Sequence, residues 1–592
     1  MKRDWYFLLF FYSGESDMKK HSIAIFTALA VAAISGQAQA KNDAPEWVSK
    51  AVFYQIYPSS FKDSNGDGVG DIQGVIDKLD YIKSIGVNTL WFNPMFSSEF
   101  KDGGYDITDF YSIDKRFGTN ADFKRLVEEA HKRGLRVCLD LVAGHTSDQN
   151  AWFLASKKGP DQRYSDYYIW PDRIPDDVKG KEKDQISGVI GEDSFVKSDS
   201  GRSPFYIKNY YDSQPALNYG YANPNPQHAW EQPIDAPGPM AVRREIENII
   251  AFWMDKGADG FRVDMASSVV KNDPGKLASI KVWQDISSWY KAKYPEGVLI
   301  SEWSNPKESS AAGFNIDFMM HTGKYNFSSL FFNKVGGEFE PQVSYFAKQG
   351  KGQIKEWYDL YTEQYNATKG KSYISLPTGN HDIQRLNAGD RNTLDQLKVT
   401  MTFFLTMPGT PFIYYGDEIG MKFQTGLWNK EGSQGRATKN RAGSRTPMQW
   451  DDSKNAGFST ADYWNLYLPV DKDANRPTVA KEDKDPASLL NYTRQLLTLR
   501  KASPALSADG DWKLVSDVNQ PYPMVYLRSS GDDRYLVVLN PSEQPRDVSV
   551  AALKVKTAKL VAGDNNQGSY KPGEQNDAIH AGAISAQVYK LD

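Results

Sequence analysis

From residue 52 the chain alternates short apolar runs with segments of helical period. "VFYQIYP" is followed by "IQGVIDKLDYIKSIG", "VNTLWFNP" by "NADFKRLVEEAHKRG", and then comes "LRVCLDLV". The rhythm resumes with "ADGFRVDM", "GVLISEW", "FNIDFMM", "SYISLPTGNHD" and "TPFIYYGDE". Runs of this length, rich in β-branched and aromatic residues and separated by amphipathic helices, predict strands of a parallel (β/α)8 TIM barrel. Residues 146–232 interrupt the pattern with Pro, Gly, Tyr and polar loops, which predicts an inserted domain B after strand 3. After residue 508, "PMVYLRS" and "RYLVVLN" alternate with period 2 and no helical repeat, the pattern of a small antiparallel β domain. The organisation expected is a leader (1–40), a barrel in two parts (41–145 and 233–507), the insertion (146–232) and a C-terminal β-sandwich (508–592).

Composition narrows the class of protein. A chain of 592 residues with 40% hydrophobic and 24% charged residues can bury a large core and is ordinary for a globular protein. Its net charge of -4 argues against a nucleic-acid surface. From Met18, "MKKHSIAIFTALAVAAISGQAQA" has a Lys pair, an apolar run too short for a comfortable membrane span, and an A-x-A ending at Ala40. That is the order of a secretory signal peptide, so an exported protein, periplasmic or secreted, is expected. The single cysteine, Cys138, excludes an intramolecular disulfide.

Two features carry candidate chemistry. "KDSNGDGVGDIQG" (62–74) opens like an EF-hand loop, with Asp63, Asn65 and Asp67 at positions 1, 3 and 5, but Gly74 stands where a bidentate Glu should close the cage. The second feature is an ordered set of polar residues at predicted strand ends, where a barrel keeps its catalytic groups. These are Asp140 and His145 in "DLVAGH", Arg262 and Asp264 in "GFRVD", Glu302 in "ISEW", and His381 and Asp382 in "GNHD". Arg262 lies two residues before Asp264, hence on the same strand face, where its charge favours the carboxylate anion.

On these motifs the chain resembles the α-amylase superfamily of retaining α-glycosidases, glycoside hydrolase family 13, across roughly residues 45–590. The resemblance implies Asp264 as nucleophile, Glu302 as general acid/base and Asp382 as the carboxylate that braces the distorted sugar. It implies that Arg262, His145 and His381 hold the nucleophile and sugar hydroxyls, and that Tyr105 of "GGYD" is the platform beneath the ring. It also implies one structural Ca2+ or Mg2+ in the acidic loop, held by Asp63, Asn65, Asp67, the carbonyl of Val69 and Asp71, with no organic cofactor.

Departures from the family pattern matter as well. Gly144 stands where the family's D-x-V-x-N-H motif has Asn, and "QPALN" (214–218) resembles "QPDLN" of the oligo-1,6-glucosidase group with Ala216 in place of the acid. Met265, following the nucleophile, leaves linkage open. "GSRTPMQWDDSKNAGF" resembles the loop of exo-acting relatives in which an Asp and an Arg, here Asp102 and Arg445, close the pocket. The expected function is removal of terminal α-linked glucose from oligosaccharides through a covalent glucosyl-enzyme. A glucosyl transferase or isomerase of trehalose or sucrose type, an endo-acting α-amylase and a catalytically inactive binding subunit are the alternatives.

Overall fold

A computed structural model describes residues 44–184, 188–319, 327–331, 344–433, 440–563, 568–572 and 577–592. The leader expected at 1–40 lies outside them. Eight parallel strands close a barrel: β1 (Phe53–Ile56), β2 (Thr89–Phe92), β3 (Arg136–Leu141), β4 (Gly260–Val263), β5 (Val298–Ser301), β6 (Ile316–Phe318), β7 (Tyr373–Pro377) and β8 (Thr410–Tyr414). Each pairs with its neighbours in chain order and β1 pairs with β8, so every connection crosses over in parallel. Helices between strands carry the apolar stripe the sequence predicts. Asn120–Lys132 buries Phe123, Leu126, Val127 and Ala130 and starts on a capping box between Thr119 and Asp122.

Strand parity explains how the barrel makes a site. Phe53, Trp91, Cys138, Val298, Ile300, Ile316, Phe318 and Phe412 form one buried cluster within the barrel. Phe53 and Phe412 stack at 4.1 Å between ring centroids, and Phe318 packs edge-on to Phe412 at 5.0 Å. Because side chains alternate across a strand, positions two residues further on face the same way. Those positions are Gln55, Asn93, Asp140, Arg262 after Gly260, and Glu302 after Ile300. An aromatic floor is therefore followed by a polar layer at the carboxyl ends of the strands.

Between β3 and β4 the chain departs into a segment with a helix at Ala151–Ser156 and a short antiparallel pair, Phe195–Lys197 with Phe205–Ile207, before the long helix Pro237–Met254 returns it to the barrel. Beyond the helix Leu489–Ala502, a five-stranded antiparallel sheet (511–514, 524–530, 533–540, 585–591 and 558–563, in that spatial order) faces a three-stranded one around a separate apolar core. Among the described residues no helix is long and apolar enough to cross a membrane.

Candidate active site

Arg262 is the hub. Its guanidinium lies 2.8 Å from Asp140, 2.9 Å from Asp264 and 2.7 Å from Glu302, and all but Glu302 are buried. It rests over the ring of Trp91 at 5.4 Å and that of Tyr105 at 5.7 Å. Asp264 is placed by its backbone N–H on Leu141 O, and Glu302 by its own on Val263 O. Glu302 Oε2 accepts a further hydrogen bond from the Met265 N–H at 3.0 Å. Met265 sits at φ 44°, ψ 39°, an uncommon conformation for a non-glycine residue. On the far side of Glu302, Asp317 of β6 accepts from Ser301 Oγ at 2.6 Å and Trp303 N–H at 2.9 Å, which fixes the turn carrying the acid.

Three carboxyls around one guanidinium cannot all ionise as isolated groups would. Burial pushes Asp264 well above the usual carboxylate range; Arg262 opposes this, while Glu302, Asp140 and Asp382 reinforce it. Burial likewise pushes Asp140 up to about 6 against the pull of Arg262. Arg262 thus acts in the direction the sequence suggests, but desolvation outweighs it. Desolvation and mutual repulsion therefore favour keeping a proton among these carboxyls, which titrate together. Asp382 behaves oppositely. Burial pushes against it, yet His381, Arg441 and Arg445 hold it well below its usual range.

A second network ties the histidines to Tyr105. The Tyr105 hydroxyl lies 2.8 Å from His381 Nε2 and donates to Asp140 at 3.0 Å, and its ring stacks on His381 at 5.3 Å. His381 Nδ1 faces the side-chain amides of Asn93 (3.0 Å) and Gln55 (3.1 Å). His145 Nε2 lies 3.0 Å from the Tyr105 carbonyl. Burial pushes both histidines down to about 4, so both are neutral at pH 7.

The far wall differs from the sequence expectation. Asp102 pairs with Arg441 Nη2 at 3.0 Å and accepts from Gln214 at 2.9 Å, whereas Arg445, the expected partner, donates to the His381 carbonyl at 2.8 Å and lies 3.3 Å from Asp382. The reason is local. The Tyr57 ring, 5.3 Å from the Arg445 guanidinium, and the His381 carbonyl occupy Arg445, which leaves Arg441, four residues earlier, to span the cleft. Arg441 also binds Asp382 at 2.6 Å, so one guanidinium joins the wall to the third acid. Sequence reasoning did not select Arg441, Gln55, Asn93 or Asn209. Strand parity could have found Gln55 and Asn93.

The acidic loop closes on itself. Asp63 accepts from the N–H groups of Asn65, Gly66 and Gly68, and Asp71 from those of Ser64 and Gly74. Asn65 accepts from Asp67 N–H, and Asp67 from Val69 N–H. Gly68, at φ +97°, lies against Asn465, whose carbonyl a Cβ would meet at 2.0 Å. Among the described residues no three His, Cys, Asp or Glu side chains are gathered into a metal cluster.

Residues 55–509 match the alpha-amylase catalytic domain, and with the barrel above this establishes the class: the chain belongs to the α-amylase family, glycoside hydrolase family 13, and is a glycoside hydrolase. Within the family it falls in the α-glucosidase group. An oligo-1,6-glucosidase of Parageobacillus thermoglucosidasius is 34% identical over 545 residues, which cover 84% of this chain and 91% of that protein. A trehalose synthase/amylase of Mycolicibacterium smegmatis is 31% identical over 556 residues, covering 87% of each. Among solved structures, a trehalulose synthase variant in complex with Tris superposes with a TM-score of 0.76 at 26% identity, over 92% of this chain and all of that one.

Proposed function

We propose that the protein is a retaining, exo-acting α-glucosidase that removes terminal α-linked glucose from oligosaccharides. The observation that carries the reading is Arg262 bound to both Asp264 and Glu302 within a cleft whose far wall is the Asp102–Arg441 pair. In the first step a carboxylate oxygen of Asp264 attacks C1, the C1–O bond breaks, and Glu302 gives its proton to the leaving oxygen. Glu302, now anionic, takes a proton from water. The hydroxide so formed attacks C1 from the face the leaving group vacated and releases Asp264, and two inversions give net retention. Arg262 keeps the two acids beside one another and offsets the charge that passes between them.

The test is 1H NMR of the anomeric signals during turnover of isomaltose, maltose, trehalose and sucrose. Early release of α-glucose from a disaccharide is the expected result, with isomaltose first because of the oligo-1,6-glucosidase relatives. Early β-glucose would overturn the mechanism. The likeness to a trehalulose synthase favours one second reading, transfer of the glucosyl group to a sugar hydroxyl. A rearranged disaccharide in the same spectra would select it.

For the acidic loop the proposal rests on donor chemistry. Asp63, Asn65, Asp67, the Val69 carbonyl and Asp71 are all hard oxygen donors at alternate or near-alternate positions, suited to Ca2+ or Mg2+. Binding would require the carboxylates to turn from their N–H partners to a common centre. The ion would brace the loop and take no part in the reaction. Chelation should then lower the wild-type melting temperature by a few degrees, and Asp67→Ala should lower it similarly and make chelation irrelevant. Metal-free wild type with a melting temperature indifferent to chelator would overturn this.

A further inference from the structure

We infer that Asn209, from the segment inserted between β3 and β4, is a positioning residue for the active site: its side-chain amide holds His145 in a single tautomer and, through it, fixes the backbone of Tyr105. The inference rests on the α-glucosidase reading for its kinetic consequences but not for its geometry.

The argument begins at Gly144. Its φ lies outside the left-handed region, so the backbone there does not require glycine; what a side chain would meet is Asn209. A Cβ on residue 144 would lie 3.0 Å from Asn209 Nδ2 and 3.6 Å from its Cγ. The volume beside His145 that the preceding residue's side chain would enter is filled by the Asn209 amide instead. That amide is held at its root: Asn209 N–H donates to Gln214 O at 2.8 Å, and Lys183 Nζ donates to Asn209 O at 2.9 Å. The inserted segment docks at the same place, with Leu217 N–H on Gly144 O at 3.0 Å and a bridge between His145 and Ala216.

The tautomer follows from the partners. His145 Nε2 faces the Tyr105 carbonyl, which can only accept, so Nε2 carries the proton. In a neutral ring Nδ1 is then an acceptor, and it meets Asn209 Nδ2 at 2.9 Å. A chain of hydrogen bonds thus runs from Asn209 through the imidazole to the Tyr105 carbonyl. The hydroxyl of that same residue touches His381 and Asp140. Asn209 Nδ2 also lies 3.6 Å from the sulfur of Met265, the residue that follows Asp264 and donates to Glu302. An apolar side chain at 209 would fill the space but leave Nδ1 unpaired and the ring free to turn.

The experiment compares wild type, Asn209→Ala, Gly144→Ala and the double variant Gly144→Asn/Asn209→Ala, using 4-nitrophenyl α-glucoside turnover, thermal melting and crystal structures. Asn209→Ala is expected to lower kcat/KM by about 10- to 100-fold, the scale of a small misplacement of binding groups, while the melting temperature moves by less than about 4 °C. Gly144→Ala, whose Cβ presses the amide by a few tenths of an ångström, should lose activity to a smaller extent than Asn209→Ala. The double variant, which returns an amide from the neighbouring residue, should recover most of the loss. A role in folding alone would show as a lower melting temperature in Asn209→Ala with no recovery in the double variant, and would overturn the inference, as would an Asn209→Ala enzyme with wild-type kcat/KM. Should wild type turn over no α-glucoside, the functional reading falls. The His145 ring in the Asn209→Ala crystal structure then decides: a turned or disordered imidazole supports the inference, and an unmoved one overturns it.

Discussion

Asp264→Asn is expected to abolish turnover of every α-glucoside, activated or not, because an amide cannot form the glucosyl ester on which both half-reactions depend. Loss of kcat by a factor on the order of 10³ or more is the scale for removing a covalent nucleophile. Glu302→Gln should behave differently. With no proton to give, it should lose natural glucosides to a similar extent, yet glucosides whose leaving group needs no protonation should still form the intermediate. Hydrolysis of that intermediate would be slow, since no base activates water. Azide, which needs no deprotonation, should restore turnover and yield the α-glucosyl azide. The same Asp264→Asn enzyme should melt at or above the wild-type temperature at pH 7. The sign follows from burial, which pushes Asp264 above its unfolded value. Stability from this group is therefore complete below the unfolded value and declines as pH rises through the folded one, so at neutral pH the folded state bears the cost of the desolvated carboxyl. A neutral isostere removes that cost and leaves Arg262 paired to Asp140 and Glu302. Near-normal activity on disaccharides in either variant would sink the assignment, whatever the melting temperatures.

The groups in that prediction were legible in the sequence because the barrel enforces a simple rule. Asp264, Glu302 and Arg262 lie on or one residue beyond strands whose preceding inward positions are Gly260 and Ile300, so parity alone turns them into the barrel mouth. What was not legible comes from loops. Arg441 and Arg445 are four residues apart around a short 3-10 turn, Arg441–Ser444, with nothing in their spacing to say which meets Asp102. The choice is made by groups from other parts of the chain, the Tyr57 ring hundreds of positions away and the His381 carbonyl 64 positions away. Gly144 shows the same limit from the other side. As sequence it is a departure from a motif, and only the fold brings Asn209, 65 positions later, into the space it leaves. The net balance at Asp264 is hidden from the sequence for a related reason: proximity to Arg262, and the direction of its pull, can be read from spacing, but the depth of burial that outweighs it cannot.

Asp102→Ala carries the other large effect, and it separates a pocket wall from a mere fastening between loops. Asp102 is buried, with one carboxylate oxygen on Arg441 and the other on the Gln214 amide. Arg441 reaches Asp382 with its other nitrogen. If this group of charges recognises the O4 hydroxyl of a terminal glucose, removing the carboxylate deletes a charge-assisted hydrogen bond worth about 1.5–3 kcal/mol. In kcat/KM for disaccharides that is roughly 10- to 100-fold. Such a wall would also block chains that continue past O4, so the wild type should release single glucose units and thin starch slowly, while Asp102→Ala should lose part of its preference for short substrates over long ones. Arg441→Ala should cost more, because it leaves the buried Asp102 without its cation and the half-buried Asp382 with Arg445 alone. A fastening role predicts the reverse order of effects, a lowered melting temperature in Asp102→Ala with disaccharide kcat/KM unchanged. Rapid internal cutting of starch by the wild type, with early mixed maltooligosaccharides, would show that the cleft is open at Asp102 and that an endo-acting amylase is the better reading of the same barrel.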